Sequence, residues 1–523
     1  MKKIFLLVFI LSTRQLTNPA TIFCQEPIIL PPVTITGEDK SEEMFERFQK
    51  QPRIIMGESP KISSKRREPG GSFFSLYFSA GGYDYLNWKI KGGKELAGGI
   101  SGQVMTYLAL IDKLRIGPYG STGRLNEYNV DNFHLDFSFP FFGNTNLFSS
   151  LKYQERNESL THPSIGGTSN IMNHRAKDAE LNLGLRGKIG GLVHLTLCPY
   201  YNYVAVLDER INVDTQVVSN QERIAGLKLN AQAEMKNLSL VGDVQVEANQ
   251  RPELDKSGAN LTVYFGGRFG FTRIPRLNLN IGFQYISPYL FSTHFNPELG
   301  ASYRFENGLL LRTIFKGETM LPTYKLFANN YVRFNPLLRE EQDWSFSLEA
   351  EKEFGKADAS FKFFHQTQEN LISFGSRNTL WQPVNIPGFA TKFGVGLSTR
   401  IRYSIWKGNV YGRIGYTFQQ AIPGEGKSIP YFPGNELLTG IGYEIGNFKI
   451  EISGNYYSSC YADTQASMVI PGYFLTSFNV SLGIAEQIFI FFNGDNLSDA
   501  KDYILDNYPV VGRNFKGGIE IKF

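Results

Sequence analysis

Residue types that carry out catalysis are scattered along this chain of 523 residues. Hydrolysis by an activated nucleophile needs a nucleophile, a base and a stabilising group held together. None of the six histidines has the spacing of a metal site or stands beside a nucleophile-elbow motif. The sequence therefore predicts no enzymatic activity, no cofactor and no metal site. The histidines are His134, His162, His174, His194, His294 and His365.

The three cysteines and the net charge add little further chemistry. Cys198 and Cys460 are far apart and lack metal spacing, so we interpret both as structurally incidental. Cys24 would be lipidated in a lipoprotein, but Phe23 is a poor residue before such a cysteine, which disfavours that alternative. The formal net charge of +4 is too small to indicate a nucleic-acid partner.

The first residues of the chain have the pattern of a secretory signal peptide. Two lysines in residues 1–3 precede the apolar run 4–11. Such a run is too short to span a bilayer as a helix, which needs about 20 apolar residues. The pattern predicts a signal peptide over residues 1–24, with cleavage between Ala20 and Glu26.

From residue 72 onward the sequence is strand-like to its end. Alternating apolar and polar stretches are separated by Gly, Asn and Pro, the residues that turns require. The length would suggest several soluble domains, but one large barrel needs the same length. About 22 strands can be placed, an even number within the range of bacterial barrels. They span residues 73–80, 85–91, 99–110, 130–139, 146–154, 178–187, 193–204, 224–234, 239–247, 260–271, 277–285, 298–305, 309–317, 344–354, 359–366, 393–403, 410–419, 437–444, 449–457, 474–484, 488–493 and 512–523.

The last of these strands is apolar on one face and polar on the other. Successive side chains of a strand point to opposite sides, so this strand meets an apolar environment on one side and water on the other. In an outer-membrane barrel the apolar face meets lipid and the polar face meets the lumen. The apolar face carries Phe515, Gly517, Ile519, Ile521 and Phe523, and the polar face carries Asn514, Lys516, Gly518, Glu520 and Lys522.

An earlier strand repeats this pattern. Trp344 and Phe346 share one of its faces, and Glu349 and Glu351 share the other. Burying both carboxylates in a dry core would be costly or would force protonation, whereas a water-filled lumen removes that cost. The sequence thus favours a transmembrane antiparallel up-and-down β-barrel over a soluble two-sheet protein. Polar residues that we interpret as lumen lining include Asp343, Glu349 and His365.

Short and long connections alternate between the candidate strands. Short links such as 142–145, 306–308 and 445–447 carry Gly and Asn for tight turns. This asymmetry is expected when one rim of a barrel faces the periplasm and the other faces the cell exterior. The long links span residues 112–129, 156–176, 205–222, 317–341, 366–390, 419–436, 457–472 and 494–511.

Residues 25–71 differ from the rest of the chain. Proline favours extended backbone over helix, so the proline-flanked run near residue 32 is free to pair with a sheet edge in another protein. A short helix is predicted over residues 41–50, followed by a charged Gly/Pro-rich linker. The extended run consists of Pro32, Val33, Thr34, Ile35 and Thr36.

The extended run resembles the TonB box of TonB-dependent outer-membrane receptors. Residues 321–327 and 335–341 resemble that family's loop-and-strand signature in the later barrel. Residues 493–503 resemble its Asn-Leu-Phe-Asp segment, with Ser498 in place of Phe. The resemblance extends over residues 72–523 and implies that the closing strand is read by the barrel-assembly machinery. The residues expected to form that signal are Gly512, Phe515, Ile519, Ile521 and Phe523.

The resemblance implies a receptor or transporter barrel in a Gram-negative outer membrane that takes up an unidentified solute. Its expected partners are outer-membrane lipid, the assembly machinery and a TonB-type energising protein. Family members fold a globular plug between the box and the first strand. Only about 35 residues separate Thr36 from Ser72, and chains below about 40 residues rarely fold unaided. We therefore expect no plug in this chain.

A large barrel without a plug would hold an open lumen. Inward folding of the links 317–341, 366–390 and 419–436 would narrow it, and the helix over 41–50 would cover its periplasmic mouth. A plug supplied by a partner protein is the third possibility, and the sequence does not choose among them. A passive porin or a secretion conduit with a vestigial box is the alternative function.

Two further groups of residues have a structural interpretation. Arg339, Glu340 and Glu341 precede a strand, where charged residues are usually solvated, with ligand contact as the alternative. A second group is typical of the aromatic belt at a membrane interface rather than of a sugar-stacking site. Its members are Trp344, Phe346, Tyr456 and Tyr457.

Overall fold

The computed structural model is an all-β chain over the residues that it describes. These are residues 72–81, 85–96, 100–114, 126–142, 145–162, 170–190, 192–211, 217–235, 238–250, 260–271, 274, 276–288, 291–322, 335, 337–374, 383–500, 503–505, 508–509 and 513–522. No helix in these ranges is long and apolar enough to cross a membrane. The predicted signal peptide, box and short helix lie outside them.

Twenty-six strands occur within the described ranges. In chain order they are β1 (Ser72–Gly81), β2 (Tyr85–Leu96), β3 (Ile100–Leu114), β4 (Asn126–Phe142), β5 (Thr145–His162), β6 (Asn170–Ile189), β7 (Val193–Ile211), β8 (Val217–Met235), β9 (Leu238–Gln250), β10 (Asn260–Phe271), β11 (Leu277–Pro288), β12 (His294–Arg304), β13 (Leu310–Met320), β14 (Glu341–Phe354), β15 (Ala357–Phe374), β16 (Pro383–Ile405), β17 (Gly408–Ile422), β18 (Asn435–Ile445), β19 (Phe448–Tyr457), β20 (Cys460–Tyr461), β21 (Val469–Ile470), β22 (Tyr473–Ala485), β23 (Ile488–Asp495), β24 (Tyr503–Leu505), β25 (Tyr508–Pro509) and β26 (Asn514–Lys522).

Twenty-two of these strands form a single antiparallel sheet that closes on itself. Each strand of the sheet pairs with the next in the chain, and β1 pairs with β26 from Ser75 opposite Lys522 to Gly81 opposite Lys516. Closure gives hydrogen-bond partners to the backbone N–H and C=O groups of both terminal strands. In an open sheet these edge groups would remain unpaired. The remaining strands form two short hairpins, β20–β21 and β24–β25. The predicted transmembrane up-and-down β-barrel of about 22 strands is confirmed.

Every predicted strand coincides with one strand of the barrel sheet, but many observed strands are longer. β7 continues to Ile211 and β8 begins at Val217, so most of the predicted link 205–222 is strand. The consecutive charged residues 208–210 interrupt the apolar alternation there, and this conceals the strand from a pattern-based prediction. The two short hairpins lie inside the predicted links 457–472 and 494–511, where the sequence pattern predicts no strand.

The barrel is apolar on its outside and polar on its inside. Phe346 and Leu348 on β14 point outward and are exposed, whereas Glu349 points inward and pairs with Lys362 at 2.7 Å. On the closing strand Phe515 is exposed and stacks on Phe492, whose ring centroid lies 6.1 Å away. Lys516, one residue later, forms an ion pair with Asp495 at 3.1 Å on the inner side. The alternation predicted for both strands is confirmed.

The two rims of the barrel differ in the length of their links. Two-residue turns such as 355–356 and 446–447 occur at one rim, with Gly355 and Gly446 at positive φ. The opposite rim carries long links, including 423–434 and 458–472. β1 starts and β26 ends at the short-link rim, because each strand reverses direction relative to the one before it. By analogy with bacterial barrels, we assign the short-link rim to the periplasm and the long-link rim to the exterior.

Tyrosine rings on the inner wall lie flat over glycines of neighbouring strands. A Cβ atom added to Gly226 would lie 2.3 Å from the ring of Tyr200, and one added to Gly442 would lie 2.2 Å from the ring of Tyr411. Only glycine admits this close approach. Each ring is then fixed by its hydroxyl group, which donates to a glutamate on the wall: Glu247 at 2.6 Å and Glu451 at 2.9 Å.

Candidate binding vestibule at the extracellular end of the lumen

The link between β17 and β18 folds into the barrel. We call residues 423–434 the inner loop. Its Ile429 is buried against Leu371, Ile386 and Ala390, and Phe432 packs against the same cluster. Ala390 pairs in register with Gln368, on the same face of β15 as Lys362, which points into the lumen. The inner loop therefore lies against the inside of the wall, which is one of the possibilities that the sequence left open for the link 419–436.

A second link holds the inner loop in place. The backbone N–H groups of Lys427 and Tyr431 donate to the carbonyl oxygens of Thr464 and Tyr461, both at 2.7 Å. Gly426 has a φ of +85°, and a Cβ atom there would lie 2.6 Å from the Thr464 oxygen. Both the left-handed backbone and the close approach require glycine. The inner loop and the link 458–472 thus form one hydrogen-bonded unit at the exterior rim.

The side chain of Asp463 organises the link 458–472. It accepts hydrogen bonds from the N–H groups of Gln465, Ser467 and Met468, at 2.7, 3.2 and 2.9 Å, and from the Ser467 hydroxyl at 2.9 Å. Burial would raise the pKa of this carboxyl, but the hydrogen bonds from Ser467, Gln465 and Met468 lower it on balance. The charged form is therefore the one that holds the link together.

We expect Asp463→Ala to release this link from the inner loop. Losing even one charge-assisted hydrogen bond costs about 1.5 kcal/mol or more, so cleavage of the link by added protease should accelerate at least about tenfold. In the wild-type protein the contribution of Asp463 is complete above the ordinary pKa of 3.8 and is lost as the pH falls through the lowered value. Limited proteolysis measured against pH checks both statements.

Glu425→Gln is the matched control because Glu425 is exposed on the inner loop itself. It should leave the cleavage rate unchanged at every pH. Equal cleavage rates for Asp463→Ala and Glu425→Gln would contradict the role assigned to Asp463.

Paired carboxylates and side-chain amides line the wall beside the inner loop. The Gln366 amide donates to Asp343 at 2.7 Å, and the Gln368 amide donates to Glu341 at 2.8 Å. Glu341 also accepts the backbone N–H of Ile372 at 2.9 Å. These four wall side chains are buried, and the Oε1 atoms of Gln366 and Gln368 lack hydrogen-bond partners. The wall beside the inner loop is therefore polar and closely packed, with these side-chain groups covered by their neighbours.

One cation complements these acceptors. Lys392 lies opposite Gln366 in register, and its ammonium group is 5.6 Å from the ring centroid of Phe432 on the inner loop. Nearby, the Gln419 amide donates to the Pro433 carbonyl at 2.8 Å and to Glu436 at 3.1 Å. Within the described ranges no group of three His, Cys, Asp or Glu residues has the arrangement of a metal site. We call this inner surface of β14–β18, with the inner loop, the vestibule.

The two glutamates at the start of β14, Glu340 and Glu341, are fixed by contacts rather than solvated. Glu341 is 1% exposed, and Glu340 accepts from His294 at 3.3 Å and from the Ser292 N–H at 3.2 Å. The Asn385 side chain accepts a hydrogen bond from the Arg339 N–H at 2.8 Å and donates one to the Arg339 carbonyl oxygen at 3.1 Å. The prediction that these residues are solvated is therefore wrong for the two glutamates, because they join the segment to neighbouring strands.

The Asn-Leu-Ser-Asp segment closes the turn after β23. Asn496, at a φ of +48°, exchanges two hydrogen bonds of 2.9 Å with the backbone of Ala500. Ser498 donates to the Phe474 carbonyl at 2.9 Å, and Asp499 accepts the Arg513 N–H at 3.1 Å. These contacts connect β22, β23 and β26. The Ser498 hydroxyl group stabilises the turn by its hydrogen bond to β22.

Several residues singled out in the sequence have other positions than expected. His365 lies opposite Phe346 on the outward face, so its interpretation as lumen lining is wrong, whereas Asp343 and Glu349 do point inward. Tyr456 is exposed on the outside, but Tyr457 is buried inside against Tyr473, which excludes it from the aromatic belt. A period-two pattern shows which residues of one strand share a face. It does not show which of the two faces of each strand points into the lumen.

Cys198 and Cys460, the two cysteines within the described residues, are free. Burial raises the pKa of the Cys460 thiol to about 11, which leaves little thiolate at neutral pH. Of the predicted assembly signal, Phe515, Ile519 and Ile521 lie on the outward face of β26, and Ile519 pairs with Phe78 of β1. Gly512 and Phe523, and the box residues Pro32, Val33, Thr34, Ile35 and Thr36, lie outside the described residues.

A closed 22-stranded barrel with an apolar exterior and a polar interior is the architecture of the large transport and receptor barrels of bacterial outer membranes. The TonB dependent receptor-like β-barrel family matches residues 68–497. The protein belongs to this family. The family and its fold are those of receptors and transporters.

Solved structures share this fold at low sequence identity. The copper transporter OprC matches at a TM-score of 0.71 and 14% identity, over 87% of this chain and 82% of that chain. The FrpB iron transporter from Neisseria meningitidis (F5-1 variant) matches at 0.68 and 13%, over 87% and 83%. The siderophore receptor PiuA from Acinetobacter baumannii matches at 0.65 and 13%, over 87% and 82%. No curated protein matches the sequence.

Proposed function

We propose that the protein resides in the outer membrane of a Gram-negative-type cell and takes up a polar solute. The observation that carries the proposal is the closed barrel with an apolar outside and a polar inner wall, whose carboxylates, amides and Lys392 ammonium line the wall beside the inner loop. The printed names of the structures that share its fold are those of a copper transporter, an iron transporter and a siderophore receptor. They support uptake as the class of activity, and none of them identifies the solute.

Energy coupling is proposed to run through Pro32–Val33–Thr34–Ile35–Thr36 to a TonB-type protein in the periplasm. Both the start of β1 and the end of β26 lie at the rim assigned to the periplasm. Residues 25–71 therefore lead into the barrel from the side where such a partner is found. An extended run with alternating side chains is suited to pairing with the edge of a sheet.

The proposed barrel has no plug of the family's kind, since only about 35 residues separate Thr36 from β1. The inner loop supplies part of the missing closure, because Ile429 and Phe432 pack inside the wall. A plug-supplying partner or the segment 41–50 would add the rest. Solute entry then requires the inner loop to move or to leave a side passage.

Deletion of residues 31–37 tests the coupling. The chain without this run should lose binding to the purified periplasmic domain of the TonB protein from the same cell, measured by biolayer interferometry. It should still insert into the outer membrane and migrate as a heat-modifiable barrel. A deletion of equal length in the linker, residues 59–65, is the control and should keep the binding.

Unchanged binding after deletion of 31–37 would contradict coupling through the box. The protein would then be a passive porin or a secretion conduit. In that case the purified barrel should give large, steady conductance in a planar bilayer without any partner.

A further inference from the structure

Two cations lie on the inner wall of the barrel at its periplasmic end. Arg186 and Lys188 share a face of β6 with Asn182, which is in register with the inward-pointing Tyr200. β6 ends at Ile189, so both cations lie within the last four residues of the strand, at the short-link rim. Both side chains are exposed to the lumen. We call Arg186 and Lys188 the mouth pair.

The mouth pair forms no ion pair with any residue that the structure describes. The residues in register with it on β7 are Thr196 and His194, neither of which carries a negative charge at neutral pH. Among the described strands, the nearest carboxylate positions on this face are Glu234 on β8 and Asp243 on β9, two and three strands away. Neighbouring strands are about 4.8 Å apart, so both positions lie roughly 10 Å or more from the pair, which is about the screening length at 0.1 M salt.

The chain carries an acidic stretch before the barrel. Residues 38–46, which we call the acidic segment, contain five carboxylates and one lysine. The helix predicted over residues 41–50 would place Glu42, Glu43 and Glu46 on one face, because they are spaced by three and four residues. The acidic segment therefore has the charge that complements the mouth pair.

The acidic segment is attached at a distance that matches the position of the mouth pair. About 26 residues separate Glu46 from Ser72, where β1 starts at the same rim. Five strand spacings of about 4.8 Å lead from β1 to β6, or roughly 24 Å around the wall. A coil of about 26 residues spans about 28 Å on average. A tether whose span matches the separation gives an attached group a millimolar effective concentration.

We propose that the acidic segment binds the mouth pair through charge-assisted hydrogen bonds and covers this side of the periplasmic mouth. This inference rests on the proposed barrel without a plug, and it assigns the surface on which part of the N-terminal segment lies. Ion pairs between exposed groups are weak, but attachment to the barrel removes most of the cost of association. The cover is therefore held reversibly.

The test uses the full-length protein in detergent, with the photo-cross-linking residue benzoylphenylalanine in place of Ser41. Irradiation should join residue 41 to residues 184–197 of the same molecule, as mapped by mass spectrometry after proteolysis. Arg186→Glu/Lys188→Glu should lower the yield about tenfold, given the usual strength of ion pairs between exposed groups. Adding Glu42→Lys/Glu43→Lys to this variant should restore the yield. The wild-type yield should also fall as salt is added, and this measurement needs no charge variant.

Lys356→Glu/Lys407→Glu is the matched control, because it reverses two charges that are exposed in turns at the same rim. It should leave the yield unchanged. Equal losses in both variants would overturn the proposal, as would a wild-type yield that salt does not change. Cross-links to another part of the wall or to a second molecule would also overturn it, and would leave the mouth pair to an anionic solute or a separate acidic partner.

The cross-link is independent of energy coupling. Deletion of residues 31–37 keeps the acidic segment, so the deleted chain should cross-link as the wild-type protein does, whether or not the box binds a TonB-type protein. A missing cross-link in a chain that still binds the TonB-type domain would overturn this inference alone.

Discussion

Replacing Ile441 by arginine should destabilise the folded barrel by about 2–4 kcal/mol, the cost of a cation facing lipid near the middle of the membrane. Ile441 lies on β18, points outward and is 59% exposed. An arginine side chain at this position would face lipid and lose its hydration. On the surface of a soluble protein, an equally exposed arginine would remain hydrated and would change the stability little. Reversible urea unfolding in phospholipid vesicles, followed by tryptophan fluorescence, measures the change.

The matched control is Leu438→Arg on the same strand. Leu438 is in register with Asn455 of β19, on the face that looks into the lumen. Water reaches that face, so the cation should cost well under about 1 kcal/mol if it remains solvated. Similar losses for both variants would mean that the outside of the sheet does not contact lipid.

Removing the inner loop should increase the conductance of the purified barrel in a planar bilayer by about twofold or more, because the loop occupies part of a wide lumen. Replacing residues 424–432 by two glycines shortens the loop and deletes the anchors Ile429 and Phe432. The milder variant Ile429→Asp/Phe432→Asp should have the same direction of effect, since it places charge in the apolar cluster of Leu371 and Ile386.

Leu337→Asp serves as the control for this experiment, because Leu337 is 84% exposed on a neighbouring link. It should leave the conductance unchanged. Removal of residues 27–71 provides the comparison with the periplasmic side. If conductance rises only when that segment is removed, the occlusion comes from the N-terminal segment, and the role given to the inner loop is wrong.

The course of the strands was predictable because a barrel with lipid outside imposes a period of two on each strand. Phe515 and Lys516 show this: adjacent in sequence, one stacks on Phe492 and the other pairs with Asp495. The same rule fails above the membrane, where water lies on both sides of the sheet. Residues 205–211 and 217–222 are strand there, but nothing in their sequence marks one face as apolar.

The vestibule was only partly predictable. Inward folding of the link 419–436 was only one of three possibilities that the sequence left open, and the contacts of this link with the link 458–472 depend on residues far apart in sequence. Gly426 was a signal that could have been noticed, since glycine often marks close backbone approach. Glu341 was misjudged because its partners, Gln368 and Ile372, lie on the next strand, and the register that brings them near is set by the whole sheet.

The pairing of β1 with β26 has a consequence for how the protein is made. β26 completes a ring that β1 begins, so closure cannot occur before β26 has been synthesised, and it must fix a very long loop. Until closure, the sheet has two unpaired edges that can form hydrogen bonds with another polypeptide. We therefore expect a newly made molecule to need a helper that shields these two edges, and a truncation that removes β26 to leave both edges unpaired.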